Sequence, residues 1–134
     1  RIGNETERIG DIALDIIGRS ESVRLYQEIL TQYRVPELLG EVIRLSQRAT
    51  EAYSNSNNIL ANEIVCSCKQ TEETCKTVFN EIIAQMTEKS QVIVIATDLI
   101  LIVRDVERIC NHLENIAESI VFIVEGKRIR HANP

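Results

Sequence analysis

An all-α fold is what this sequence predicts, and three observations carry the prediction. Apolar residues recur every three to four positions over long stretches. Turn formers are scarce, with five Gly and two Pro in 134 residues. A fold of many short strands needs frequent turns, so this scarcity favours long helices. The hydrophobic share of 44% and charged share of 26% match an ordinary globular protein. At this length one domain can bury a core without staples.

Taken in chain order, residues 1–20 read as a helix with Ile9, Ile12, Ala13, Ile16 and Ile17 apolar. Residues 23–34, with Val23, Tyr26, Ile29, Leu30 and Tyr33, read as its extension or as a short linking helix. From Glu37 the positions Leu38, Leu39, Val42, Leu45, Ala49, Ala52 and Tyr53 form one amphipathic stripe. Pro36 sits in the first turn of that helix, where it costs no hydrogen bond. Ser54 to Asn58 is a polar connection. Leu60, Ile64, Cys68, Thr71, Cys75, Val78, Ile82 and Met86 mark a second helix, and the pattern pauses from Thr87 to Ser90.

The third helix of this group is expected from about Gln91 to Glu125, with Gly126 as its C-cap. Its beginning, Val92 to Ile95 and Leu99 to Val103, is rich in β-branched residues and in isolation would suit a buried strand. The helical spacing continues through Val106, Ile109, Leu113, Ile116 and Ile120, so one helix, buried almost all round at its start, is predicted. Short connections then favour an antiparallel three-helix bundle.

Composition excludes several functions. A net charge of −5 and an aromatic share of 4% argue against a nucleic-acid partner. The apolar run Val92 to Val103 is too short, and too interrupted by Thr97 and Asp98, to span a membrane. Cys66, Cys68, Cys75 and Cys110 show no CxxC or Cys/His finger spacing. Cys68 and Cys75 share a helix face while Cys66 points away, and buried thiols of a reducing compartment are the favoured reading. A cytoplasmic location is expected. The chain starts at Arg1 inside a helical pattern and reads as a fragment with something upstream.

The chain also repeats itself. Glu7-Arg8-Ile9-Gly10-Asp11 matches Glu107-Arg108-Ile109-Cys110-Asn111 at an offset of 100, and Asp15 and Ile16 fall on Asn115 and Ile116. In the second copy Glu107, Asn111, Glu114 and Glu118 form a stripe beside the core face. Stacked acids repel, and a hard cation compensates through oxygen ligands. Spacing alone favours the other reading, a solvated face screened by Arg104, Arg108 or water. His112 lies on the opposite flank and is expected at the surface.

The segment Glu107 to His112, then Asn115 to Glu118, Gly126 and Arg130-His131, resembles the closing helix and tail of the PhoU family. Glu7 to Asp11 resembles the same helix of that family's first repeat. The resemblance implies two similar three-helix bundles. Residues 1–34 would be the last helix of a truncated first repeat with its linker, and residues 35–134 a whole second repeat with a basic tail. It implies an E-x-x-x-D motif in each repeat, where some members bind iron, zinc or other cations. Carried over, Glu7 and Asp11 are ligands of one site, and Glu107 and Asn111 of the other.

Two departures weaken the second site. Asn111 brings no charge where the family has Asp, and Lys69 stands where the family tends to supply acids, leaving Glu72 and Glu73. The basic tail of Lys127, Arg128, Arg130 and His131 reads as charge favoured at a helix end, or as a partner or peripheral membrane contact.

The function implied is a non-enzymatic regulator that acts with the phosphate ABC transporter and the phosphate-sensing histidine kinase to repress phosphate-starvation genes. Oxidase chemistry on a helical bundle normally uses Glu-x-x-His pairs. Neither His112 nor His131 completes one. The remaining alternative is a metal-binding or dimerising bundle without a phosphate role. A first bundle lacking its other helices would expose Ile9, Ile12 and Ile16, so a homo-oligomer or domain exchange is expected.

Overall fold

The computed structural model describes residues 1–132, and side chains as far as Arg130. Five helices follow in order: α1 (Ile2–Val23), α2 (Gln27–Gln32), α3 (Val35–Ser54), α4 (Asn58–Glu88) and α5 (Ile93–Ala132). A 3₁₀ turn, Ser90–Val92, leads into α5. The described residues contain no strand.

The stripes read from the sequence become the core, except that Leu39 and Met86 are only partly buried and Tyr53 is exposed. Leu38, Val42, Leu45, Ala49 and Ala52 of α3 are buried, as are Leu60, Ile64, Cys68, Cys75, Val78 and Ile82 of α4. Pro36 stands in the first turn of α3. Asn57 caps α4, its side chain accepting from the Leu60 N–H at 3.0 Å, which satisfies one of the free donors of that helix end. The β-branched start of α5 is helical because its spacing buries Ala96, Leu99, Ile102, Val103 and Val106 together.

Helix directions follow from the ion pairs. Arg34–Glu81 and Arg48–Glu63 join opposite ends of α3 and α4, so the two run antiparallel. Arg19–Asp105 and Glu5–His112 set α1 antiparallel to α5 in the same way. Tyr33 lines a hollow with Leu99 and Tyr53 lines one with Ile120, so α3 and α5 run parallel. Helix α5 packs against α1, α3 and α4 and is the centre of the molecule.

Two expectations are corrected and one alternative is decided. Helix α1 is not stranded, because it lies on α5 with Ile12 2% and Ile16 9% exposed and Ile9 half-buried. Its buried side faces the outer flank of α5, a surface that a three-helix count leaves unassigned. Of the two readings of residues 23–34, the short linking helix is the one formed: the chain turns at Arg24 and α2 stands apart from α1. Finally, α5 does not stop at Gly126 but continues to Ala132 in regular helix.

Ile64 is fully buried at the α4 seam, whereas Ile43 of α3 is exposed. We therefore expect Ile64→Ala to lose about 2–5 kcal/mol of unfolding free energy by denaturant titration. Ile43→Ala should stay within about 0.5 kcal/mol of the parent.

Candidate functional site

The polar groups of α5 between Asp105 and Glu118 are divided between two seams. On the α1 side, Asp105 is buried in the middle of an apolar run. Burying a carboxylate is costly unless it is paired. Arg19 of α1 supplies one partner, Nε to Oδ2 at 3.5 Å, and Arg108 the other, Nη1 to Oδ1 at 3.1 Å. Further along this seam His112 Nδ1 meets the Glu5 carboxylate. Burial opposes ionisation of Glu5. The His112 and Asn115 side chains bonded to it, with the charges of His112 and Arg8, outweigh that and hold it below the usual carboxylate range.

The α4 side is different. Cys68, Cys75 and Cys110 are fully buried, and Cys66 is exposed, as the helical spacing predicts. Burial pushes the Cys75 thiol up to about 12, helped by the charges of Glu107 and Glu72. The adjacent Cys68 thiol and burial raise Cys110 as well. A thiol that keeps its proton is neither a nucleophile nor a ready ligand, so Cys75 and Cys110 act as small core residues.

Glu72 of α4 and Glu114 of α5 share this seam. Each has a buried Oε1 without a hydrogen-bond partner. Burial raises Glu114 to about 7, and the adjoining Glu72 carboxyl adds to the shift while Lys69 opposes it. Near neutrality Glu114 is therefore protonated about half of the time.

The stripe of Glu107, Asn111, Glu114 and Glu118 is split by this geometry. Glu107 and Glu114 are half-buried toward α4, and Asn111 and Glu118 are exposed. Glu7 and Asp11 are both exposed on α1. Among the described residues no three His, Cys, Asp or Glu side chains gather closely enough to hold a metal ion. The screening expected from Arg104 and Arg108 is not seen: Arg108 binds Asp105, and Arg104 lies over the Phe79 ring at 5.8 Å.

Sequence reasoning placed His112 at the surface. It is instead half-buried against Glu5, because the flank it occupies is covered by α1. Asp105 was not singled out, although a lone acid inside the apolar run Leu99 to Val106 was a readable signal. The basic tail projects Lys127, Arg128 and Arg130 into solvent. His131 lies outside the described side chains.

Residues 35–120 match the PhoU domain family. The chain belongs to the PhoU family. Among similar proteins, the phosphate-specific transport system accessory protein PhoU homolog of Pseudomonas aeruginosa is 29% identical over 131 residues, 98% of this chain and 52% of that protein. The homolog of Pseudomonas putida is 29% identical over 132 residues, covering 98% and 49%. PhoU homolog 1 of Thermotoga maritima is 24% identical over 133 residues, covering 97% and 56%. The chain spans about half the length of these curated relatives. No solved structure matches it. Among the described residues no helix is long and apolar enough to cross a membrane.

The Glu114 carboxyl gives a pH test. Its folded value, about 7, lies above the ordinary 4.5. Between those values the folded chain binds the extra proton, so stability falls as pH rises from 4.5 through 7. Glu114→Gln should flatten that decline in denaturant titrations and leave the protein more stable than the parent at pH 8.

Proposed function

We propose that this chain is a non-enzymatic regulator of phosphate uptake and of phosphate-starvation signalling. It works in the cytoplasm by contact with the phosphate ABC transporter and the phosphate-sensing histidine kinase. The observation that carries this reading is the family match over residues 35–120, joined to relatives named as phosphate-transport accessory proteins. The chemistry of the seams fits a binding role: the Cys75 and Cys110 thiols keep their protons, Glu114 is raised to about 7, and Asp105 and Glu5 are engaged in pairs.

Residues 1–34 we assign to the end of a first repeat. At the offset of 100, Leu14 and Ile17 correspond to Glu114, which lies against Glu72 of α4, and to the fully buried Ala117. On α1 the same positions are exposed. That face is where the other helices of a first repeat would pack.

Purified chain should retain the transporter ATPase or the sensor kinase in a pull-down from purified components. Failure to bind either would favour a bundle without a phosphate role.

Cation binding forms a second part of the proposal. A divalent or iron cation at Glu107 and Asn111, or at Glu7 and Asp11, would take two protein oxygens in each place and water for the rest. Metal analysis after purification without chelator checks it, with Glu107→Ala as the control. Metal well above the variant's level supports the second site, and equal negligible metal in both removes it.

A further inference from the structure

Helix α2 covers more than it fills. None of its six residues is buried, and it packs on α3. Beneath it lies a hollow of about 200 Å³ between the end of α4 and the start of α5. The walls are apolar: Ile29 from α2, Val92 from the 3₁₀ turn, and Ile95, Ala96 and Leu99 from α5. A cavity of about 150 Å³ holds one benzene molecule, so this hollow has room for about six to eight carbons.

Tyr33 stands at its inner edge. The next residue, Arg34, has a left-handed backbone with φ 58°, uncommon for a residue that carries a side chain, and its guanidinium is tied to Glu81 of α4. That turn holds Tyr33 against the hollow, 6% exposed. No hydrogen bond engages its hydroxyl among the described residues. Burial and the charge of Glu81 raise its pKa, so the hydroxyl keeps its proton and can donate.

The mouth is rich in donors. Gln85 and Lys89 follow Glu81 at intervals of four and share one edge of α4, and Gln32 of α2 lines the same space. The Glu81 charge is balanced by Arg34, whereas Lys89 has no ion-pair partner among the described residues. The first turn of α5 adjoins the hollow, and its positive end also favours an anion. An apolar interior under a mouth of ammonium, amide and hydroxyl groups suits a molecule of two halves.

We propose that this hollow binds a small amphiphilic anion, with an apolar body of about six to eight carbons among Ile29, Ile95, Ala96 and Leu99 and a single carboxylate or phosphate head at Lys89 and the Tyr33 hydroxyl. The site is independent of the phosphate-linked role, and it shares no residue with the seams of Glu107 and Glu114.

Calorimetric titration of the full chain tests it, with octanoate, octyl phosphate, octanol and acetate, each below its micelle-forming concentration. Octanoate, octyl phosphate or both should saturate one site at least about tenfold more tightly than octanol, and acetate should not bind. The tighter of the two anions tells whether the head is a carboxylate or a phosphate ester. Lys89→Met should weaken the anions about tenfold and leave octanol unchanged. Lys89 is exposed, so this variant changes the head site without disturbing the fold. Ala96→Leu, which puts a larger side chain into the hollow, should weaken anions and octanol together by about tenfold or more while the helical circular-dichroism signal stays as in the parent. The proposal is overturned if neither anion saturates a site, or if octanol binds as tightly as they do. It is equally overturned by anion affinity that survives Lys89→Met, or that survives a folded Ala96→Leu.

Discussion

Everything in this molecule depends on covering α5. Its buried residues include Leu99, Ile102, Val103, Val106, Ile109, Cys110, Leu113, Ile116, Ala117 and Ile120. At 100° per residue these positions occupy far more than one stripe. No single neighbour can bury such a helix. Helices α3 and α4 cover one side, and α1 the flank that remains. The arrangement of the other helices follows from the apolar circumference of this one.

That constraint also explains which parts of the fold were legible. Helices α3 and α4 are amphipathic, so their stripes state both their type and their buried face. The start of α5 was ambiguous because a segment buried on most sides loses its periodicity, and only the continuation past Val103 decided for helix. The docking of α1 was not legible. Ile9, Ile12 and Ile16 announce a buried face but not what buries it. His112 was misplaced for that reason, since its partner Glu5 comes from α1, and so does Arg19, one of the two partners of Asp105. Gly126 misled because a C-cap and a mid-helix glycine look alike in one sequence. Nothing local marks whether the hydrogen-bond ladder goes on.

The site was legible in its residue types and less so in its grouping. Helical spacing placed Glu107, Asn111, Glu114 and Glu118 on one stripe. Spacing ignores that an α-helical stripe is wider than one neighbour. Residues at its edge near α4 are drawn into the seam, and those at the other edge stay wet. Hence Glu114 is raised to about 7 while Asn111, three residues away, faces solvent.

The repeated Glu-Arg-Ile segment can be weighed in the same terms. In its second copy Ile109 is core, Arg108 holds the buried Asp105, and Glu107 reaches the thiol seam beside Cys75. Ile109 and Arg108 thus have work in packing or charge balance that needs no ligand. In the first copy Ile9 packs against the core while Glu7 is exposed. Packing and ion pairing therefore account for the Arg-Ile part in the second copy, whereas the acid at its head carries whatever chemistry the segment has. A cation approaching Glu107 from the α4 side would meet a low-dielectric seam in which burial already favours neutral groups. It would have to offset that preference with few donors, because Asn111 points away and Lys69 places a positive charge near Glu114. The same segment can thus mark the family in sequence through its packing, while a cation at Glu107 would have to work against the burial of the seam beside it.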